Sequence, residues 1–327
     1  MHAMVLNKTG TPLEWTELPD RQPGAGQIRI KVGACGVCRT DLHVVDGELP
    51  KAVVPIIPGH EIVGRIDKIG GGVGSLMLGD RVGIPWLGHT CGDCPFCRSG
   101  RENLCDHPVF TGYTRNGGFA THAIADADFV IKLGEVGSDV QLAPLLCAGL
   151  IGWRSLVIAG PGARIGLYGF GAAAHIVAQV AQWQGRSVFA FTRPGDEAAQ
   201  HFARQLGVQW AAGSDELPVQ PLDIAIIFAP DGALVPMALK SVRKGGRVVC
   251  AGIHMSDIPL FPYRLLWGER QLVSVANLTR KDGVDFFSLL PQIGIVTHTT
   301  IYPLQQANQA LNDLRTGKFK GAAVLVP

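Results

Sequence analysis

The stretch RIGLYGFGAAAHIVAQVAQWQGRSVFAF, residues 164–191, decides the fold of the second half of the chain. An apolar strand-like run leads into the turn Gly169-Phe170-Gly171, and a helix-like run over residues 172–183 is followed by a second strand-like run. Glycines at such a turn let the backbone approach a pyrophosphate, and the N–H groups that begin the helix bind its charge. The pattern therefore predicts a dinucleotide site. The alternative is an ordinary strand-to-helix turn.

The turn also indicates which residues contact the dinucleotide. Alanine replaces the usual third glycine at position 174, and it is small enough for close packing of helix on sheet. We expect the cofactor's phosphates to lie against Gly169, Gly171, Ala172 and Ala173.

The second strand ends in Thr192 and Arg193, with no carboxylate at the position that usually holds the ribose 2′-hydroxyl of NAD. Arg193, aided by the Thr192 hydroxyl, is suited to a 2′-phosphate, so NADP is favoured over NAD. The alternative is a solvated surface arginine.

Outward from this stretch, the chain continues as alternating helices and strands. A helix is predicted over residues 197–206, and strands over 223–228 and 247–251. This alternation is typical of a parallel sheet covered on both faces. Residues 1 to about 152 read instead as short apolar strands separated by glycine and proline, which predicts a mostly β, barrel-like region. The tail is expected to hold a helix (304–314) and a strand (322–326).

Composition limits the classes of function. The 327 residues are 47% apolar and 17% charged, with a formal net charge of +2, so neither nucleic acid nor an anionic membrane is expected as a partner. The start of the sequence does not resemble a signal peptide, and the longest apolar run is too short to span a bilayer. We therefore expect a cytoplasmic protein, whose eight cysteines are metal ligands or reduced thiols.

Four of the cysteines lie in one short loop, CGDCPFCRSGRENLC, residues 91–105. Glycine, proline and small polar residues between them allow the chain to fold back on itself. Four thiolates outweigh the charge of one Zn²⁺ and fill its tetrahedral shell, which makes such a site structural. The predicted ligands are Cys91, Cys94, Cys97 and Cys105.

Three further segments each contain a residue that can bind a metal: GVCRTDLH with Cys38, PGHE with His60 and LLCAG with Cys147. Taken singly, a buried thiol or a structural histidine explains each of them. Two thiolates and one imidazole would balance the charge of Zn²⁺ and leave its fourth position open for chemistry.

These segments, with the four-cysteine loop and the GFGAAA turn in the same order, resemble the zinc-dependent alcohol dehydrogenases of the medium-chain dehydrogenase/reductase superfamily, and most of all their bacterial cinnamyl-alcohol-dehydrogenase-like members. The resemblance covers essentially the whole chain. It implies a GroES-like β-barrel catalytic domain (residues 1–152 and 293–327) and a Rossmann doubly wound parallel sheet (residues 153–292).

The resemblance also implies roles for residues. Cys38, His60 and Cys147 correspond to ligands of a catalytic zinc, and Glu61 to a carboxylate that can enter its coordination shell. Thr40 and His43 correspond to a proton relay. Together with the four-cysteine loop, this gives two zinc ions per chain and a hydride transfer between an alcohol and NAD(P).

The substrate is predicted less closely. Trp86, Phe110 and Ile151 are candidates for an apolar pocket and equally for core positions; a pocket of this kind favours primary, including aromatic, alcohols and aldehydes. A zinc-independent quinone or enoyl reductase of the same superfamily and a zinc-ribbon binding module are the alternatives. The resemblance implies a homodimer or homotetramer.

Overall fold

The computed structural model describes residues 1–50, 53–319 and 321–327. The chain forms two compact units. The first consists of Met1–Leu150, Asn277–Pro291 and Val296–Pro327; the second consists of Ile151–Ala276 and Gln292–Ile295.

The described residues contain strands in both units. In chain order they are β1 (His2–Val5), β2 (Glu14–Glu17), β3 (Gln27–Val37), β4 (Glu61–Ile69), β5 (Arg81–Ile84), β6 (Leu87–His89), β7 (Val109–Phe110), β8 (His122–Asp126), β9 (Ile131–Lys132), β10 (Arg164–Tyr168), β11 (Ser187–Thr192), β12 (Trp210–Gly213), β13 (Leu222–Ile227), β14 (Val242–Cys250), β15 (Gln271–Ser274), β16 (Thr299–Pro303) and β17 (Ala322–Val326).

The α-helices of the described residues, in chain order, are α1 (Arg39–Asp46), α2 (Pro95–Arg98), α3 (Asp139–Leu142), α4 (Ala148–Ala159), α5 (Ala172–Trp183), α6 (Glu197–Gln205), α7 (Leu234–Ser241), α8 (Arg280–Ile293) and α9 (Ala307–Thr316). None of these helices alone is long and apolar enough to cross a membrane, and only the bent pair Asp139–Leu146 and Ala148–Ala159 meets that criterion jointly.

The first unit is built on a seven-stranded sheet. Its order is β16-β17-β3-β4-β5-β9, with β8 also paired to β3, and every pairing except β16 with β17 is antiparallel. Strand β3 is central because its alternating apolar residues, Ile28, Ile30 and Val32, are all buried in one core. The tail strand β17 pairs with β3 and so closes the sheet with residues from the far end of the chain.

The second unit is a six-stranded parallel sheet in the order β12-β11-β10-β13-β14-β15. Counted within the unit, this is the order 3-2-1-4-5-6 of a doubly wound dinucleotide-binding fold. Strand β13 is buried along its whole length, as expected of a central strand covered on both faces. The predicted fold class, a GroES-like β domain with a Rossmann sheet, is confirmed.

The compact units differ from the predicted domain limits mainly over residues 277–291, which group with the first unit, and also at residues 151–152 and 293–295, which group with the second. The reason lies in the contacts of α8. Arg280 pairs with the buried carboxylate of Glu102, and the fully buried ring of Phe286 lies against Gly149 with no room for a Cβ there. Both partners belong to the first unit, so the returning chain joins it before residue 293.

Candidate active site and metal centre

Cys38, His60, Glu61 and Cys147 converge inside the first unit. Their ligand atoms all lie within 4.8 Å of one another. The Cys38 sulfur is 3.1 Å from His60 Nε2 and 3.9 Å from the Cys147 sulfur. Three segments that are far apart in the sequence thus form one cluster of sulfur, nitrogen and carboxylate groups.

Local geometry directs Cys38 into this cluster. Strand β3 ends at Val37, and Cys38 is the N-cap of α1, where its sulfur accepts a hydrogen bond from the Thr40 amide at 3.3 Å. Asp41, in the first turn of the helix, accepts from the Cys38 amide at 2.9 Å. This reciprocal capping box fixes the direction of the thiol.

The same aspartate orients His60. Its Oδ1 lies 3.0 Å from His60 Nδ1 and also accepts from the Gly59 amide at 3.2 Å. Both side chains are buried. A carboxylate on Nδ1 leaves Nε2 to face the sulfur, which is the arrangement of a metal-binding histidine with its supporting acid.

Glu61 completes the cluster. It is buried, and its Oε2 has no hydrogen-bond partner among the described residues. A Cβ on Gly36 would lie 1.7 Å from that oxygen, so only glycine at position 36 leaves room for the carboxylate. An unpartnered buried carboxylate oxygen beside two thiols and an imidazole fits a divalent cation, because a cation would satisfy all of them.

Burial and the contacts among its members together set the pKa values in this cluster. Burial raises the pKa of Glu61 well above its ordinary value, and the nearby Cys38 thiolate adds to this. Burial also opposes ionisation of Cys38, but its contacts with Cys147 and His60 outweigh this and hold the pKa of the thiol well below its ordinary value. The cluster is therefore poised to carry a thiolate, which is the form that binds a metal.

The second cysteine cluster is closed within one loop. The sulfurs of Cys91, Cys94, Cys97 and Cys105 lie within 4.8 Å of one another. Cys94 caps α2, and backbone amides of Cys97 and Asp106 lower the pKa of its thiol to about 6. Four sulfur donors converging within one loop fit a structural zinc site.

Thr40 and His43 are both on α1. Thr40 is buried and lies two residues from Cys38, and His43 lies one helical turn further on, with its Nδ1 in contact with a carboxylate oxygen of Glu48. Glu48 was not among the predicted site residues.

Three aromatic rings stack beside His60. The Trp86 ring meets His60 edge-on at 4.9 Å between centroids, and it stacks with Phe110 at 5.1 Å and with Tyr113 at 5.7 Å. Trp86 and Phe110 are only partly buried, whereas Tyr113 is buried. The structure thus brings two predicted pocket residues together with the cysteine–histidine cluster and adds Tyr113. The third predicted residue, Ile151, begins the second unit.

The glycine turn of the second unit has the predicted form. Gly169 has φ +86°, and a Cβ there would meet the Ala229 amide nitrogen at 2.9 Å, so the turn requires glycine. A Cβ on Gly171 would meet none of the described residues within 4 Å, and no side chain caps α5 there. The start of the helix therefore offers uncapped N–H groups beside open space, which fits a pyrophosphate.

Thr192 and Arg193 differ in their surroundings. Thr192 is buried, and its hydroxyl lies 3.1 Å from the carbonyl oxygen of Arg193 and accepts from Gln200 at 3.3 Å. The Thr192 hydroxyl is therefore already hydrogen-bonded within the unit. Arg193 is exposed, and the predicted 2′-phosphate site depends on this residue.

Comparisons with known proteins agree with this fold. Residues 24–135 match the model of the alcohol dehydrogenase GroES-like domain. The chain is 47% identical over 323 residues to the probable alcohol dehydrogenase AdhA of Mycobacterium tuberculosis (strain CDC 1551 / Oshkosh), with 96% of this chain and 93% of that protein covered. It is 34% identical over 336 residues to an alcohol dehydrogenase of Geobacillus stearothermophilus, with 99% of both covered. Its fold is similar to that of CAD from Helicobacter pylori complexed with NADP(H), with a TM-score of 0.89, 22% identity, and 99% of this chain and 97% of that one covered.

A GroES-like domain carrying a cysteine–histidine cluster, joined to a Rossmann sheet, defines an oxidoreductase that acts on alcohols and aldehydes. The chain belongs to the zinc-type alcohol dehydrogenases of the medium-chain dehydrogenase/reductase superfamily.

Proposed function

We propose that the protein is a zinc-dependent enzyme that transfers hydride between primary alcohols, including aromatic ones, and NADP. The observation that carries the proposal is the convergence of Cys38, His60 and Cys147 with the unpartnered carboxylate oxygen of Glu61. Two thiolates and an imidazole would hold a zinc ion with one coordination position left for substrate. The four-cysteine loop would hold a second, structural zinc.

When bound at the first cluster, zinc supplies a Lewis acid that makes an alcohol hydroxyl more acidic and polarises an aldehyde carbonyl. The chain's own residues do the rest. Asp41 holds the His60 ring in its orientation through Nδ1, and Thr40 accepts the substrate's hydroxyl proton at Oγ1 as it gives up its own hydroxyl proton. The proton then moves on toward His43, whose side chain is 15% exposed and reaches solvent.

The cofactor preference is proposed from the second unit. The turn at Gly169–Gly171 and the uncapped start of α5 suit the pyrophosphate, and the NADP(H) bound by the Helicobacter pylori structure supports a nicotinamide cofactor. Arg193 supports NADP over NAD because a guanidinium binds a phosphate with two parallel hydrogen bonds.

The substrate class is proposed from the stacked rings beside His60. Trp86 and Phe110 are partly exposed and apolar, so they favour a flat or aliphatic substituent on the carbinol carbon over a polyol.

We also propose a homodimer or homotetramer. In the second unit, large apolar side chains are exposed between β14 and β15, with Leu260 fully exposed and Tyr263 and Trp267 two-thirds exposed. β15 stands at the end of the parallel sheet, so its outer backbone groups are available to a second copy. The eight free cysteines support the expected cytoplasmic location.

One experiment tests the central proposal. The purified protein is analysed for zinc and assayed on a panel of alcohols and aldehydes with NADPH and NADH. We expect about two zinc ions per chain, one for each cluster, and highest kcat/KM for primary aromatic or aliphatic substrates with NADP(H). Full activity in protein that contains no zinc would refute it and favour a zinc-independent reductase.

A further inference from the structure

The C-terminal end of α1 places a specific side chain against His43. Gly47 ends the helix in the left-handed conformation, with φ +77°, and its amide bonds the Val44 carbonyl at 3.3 Å. The next amide, of Glu48, bonds the His43 carbonyl at 2.9 Å. These two bonds form a Schellman motif, in which the residue after the glycine folds back over the residue five positions earlier.

In such a motif the two facing side chains commonly make an apolar contact. Here they are a carboxylate and an imidazole: a Glu48 oxygen is in hydrogen-bond contact with His43 Nδ1. The Glu48 side chain is 54% exposed, so the pair contributes little to stability. An anion is also disfavoured near the carbonyl end of a helix. Stability therefore does not explain a glutamate at this position, whereas its contact with the imidazole does.

The contact decides which ring nitrogen carries the hydrogen. An ionised carboxylate only accepts hydrogen bonds, so His43 Nδ1 must be the donor and Nε2 carries the lone pair. Isolated neutral imidazole side chains prefer the opposite tautomer. His60 has the same arrangement, since Asp41 contacts its Nδ1 and its Nε2 faces the Cys38 sulfur.

We propose that Glu48 is a positioning residue that holds His43 in the Nδ1–H tautomer, so that Nε2 accepts the proton passed on by Thr40. When His43 becomes protonated, the adjacent carboxylate stabilises the resulting imidazolium, as the acid of a catalytic triad does for its histidine. The catalytic part of this inference rests on the proposed relay role of His43. The tautomer itself does not.

The tautomer is tested directly by ¹⁵N NMR of zinc-loaded, histidine-labelled protein, with the His43 signals assigned by their loss in His43→Gln. We expect an Nδ1–H pattern in the unmodified protein and a shift toward Nε2–H in Glu48→Ala. The matched control is Asp46→Asn, which removes another carboxylate from the end of the same helix, where it pairs with Arg315 at 2.6 Å. The control should keep the Nδ1–H pattern.

Kinetics test the consequence through a double-mutant cycle. Glu48→Ala should lower kcat for alcohol oxidation about tenfold and change KM less than twofold, and it should have no further effect in a His43→Ala background. Asp46→Asn should leave kcat unchanged. Glu48→Asp, which keeps the carboxylate, should restore part of kcat.

The outcomes separate the two proposals. An Nε2–H pattern in the unmodified protein, or a Glu48→Ala effect that is undiminished without His43, would overturn the role of Glu48. Unchanged turnover in His43→Ala would instead refute the relay, while the NMR result would still decide the tautomer.

Discussion

The two cysteine clusters bring similar ligands together by different means. The four-cysteine cluster is closed within residues 91–105, so its ligands are neighbours by local chain folding alone. The other cluster joins residues 38, 60–61 and 147, and it exists only when β3, β4 and the chain before α4 are assembled. The ligand candidates of the first are all sulfurs, whereas those of the second include the His60 imidazole, which Asp41 supports, and the Glu61 carboxylate. The comparison teaches that a short loop can bring one set of ligands together, whereas the other set needs the assembled fold.

The largest expected effect separates the clusters by activity. Cys38→Ser removes one ligand of the mixed cluster, which is the cluster of Cys38, His60, Glu61 and Cys147. We expect turnover to fall by about a thousandfold or more, because the loss of a Lewis acid removes several kcal/mol of transition-state stabilisation. Zinc content should fall by one ion per chain, and NADPH binding, measured by fluorescence titration, should be retained.

The control for this variant is Cys250→Ser, a half-buried cysteine that belongs to neither cluster. It should keep both zinc ions and normal turnover. Near-normal activity in Cys38→Ser would remove the catalytic assignment.

The second effect is a loss of thermal stability and tests the four-cysteine cluster. Cys97→Ser should lower the midpoint of thermal unfolding by several degrees and release one zinc ion, because metal binding is coupled to the folding of a local site. At temperatures where the variant stays folded, kcat should change much less than in Cys38→Ser. A loss of turnover equal to that of Cys38→Ser, in folded protein, would contradict the division of roles.

A third change should lower the metal affinity of the mixed cluster without removing a ligand. Asp41→Asn keeps the shape of the side chain but removes the charge that faces His60 Nδ1. Loss of a supporting carboxylate of this kind typically lowers metal affinity by about 10- to 100-fold, so zinc should be lost at a lower chelator concentration than in the unmodified protein. A competition titration against a coloured chelator measures this, and an unchanged affinity would show that Asp41 serves the helix cap alone.

The next effect concerns the cofactor and is smaller. Arg193→Ala should lower the affinity for NADPH by about tenfold, since charge-assisted hydrogen bonds to phosphate contribute roughly 1.5–3 kcal/mol. NADH lacks the 2′-phosphate and is the matched control within the same variant. Equal weakening of both cofactors in binding titrations would exclude Arg193 from a 2′-phosphate site.

The smallest effect concerns the aromatic rings. Phe110→Leu shortens the stacked group next to Trp86 while keeping an apolar side chain, so it should lower kcat/KM for benzylic alcohols a fewfold more than for short aliphatic ones. An equal change for both substrate sets would identify Phe110 as a core residue.

The sequence predicted elements that have strong local signals. Helix α5 and strand β17 have the predicted ends, Ala172–Trp183 and Ala322–Val326, because a glycine turn precedes the helix and the short apolar strand lies between Gly321 and Pro327. Strand β12 (Trp210–Gly213) was not predicted, since four residues of WAAG have neither alternation nor length. Helix α8 was not predicted either, because Pro291 and Gly283 within Arg280–Ile293 obscure its pattern.

The site residues likewise include some that a local pattern predicts and others that only the folded chain brings together. The four-cysteine loop could be predicted from spacing, but the joining of Cys38, His60 and Cys147 came from the family resemblance, since no local rule links residues so far apart. Gly36, Tyr113 and Glu48 were missed because each acts through a tertiary or turn contact. The one local signal among them was the glycine at position 47, which places Glu48 opposite His43.

The buried carboxylate of Glu102 connects the four-cysteine loop to helix α8. It accepts a hydrogen bond from the Arg280 amide at the first turn of α8, and the Arg280 guanidinium, paired with the same carboxylate at 2.8 Å, stacks on Phe129 at 4.6 Å. Oxidative loss of the metal from the loop would expose this acid and release the first turn of a distant helix. Amide hydrogen exchange at residues 279–283 should therefore report on thiol damage at residues 91–105, far along the chain from where it occurs.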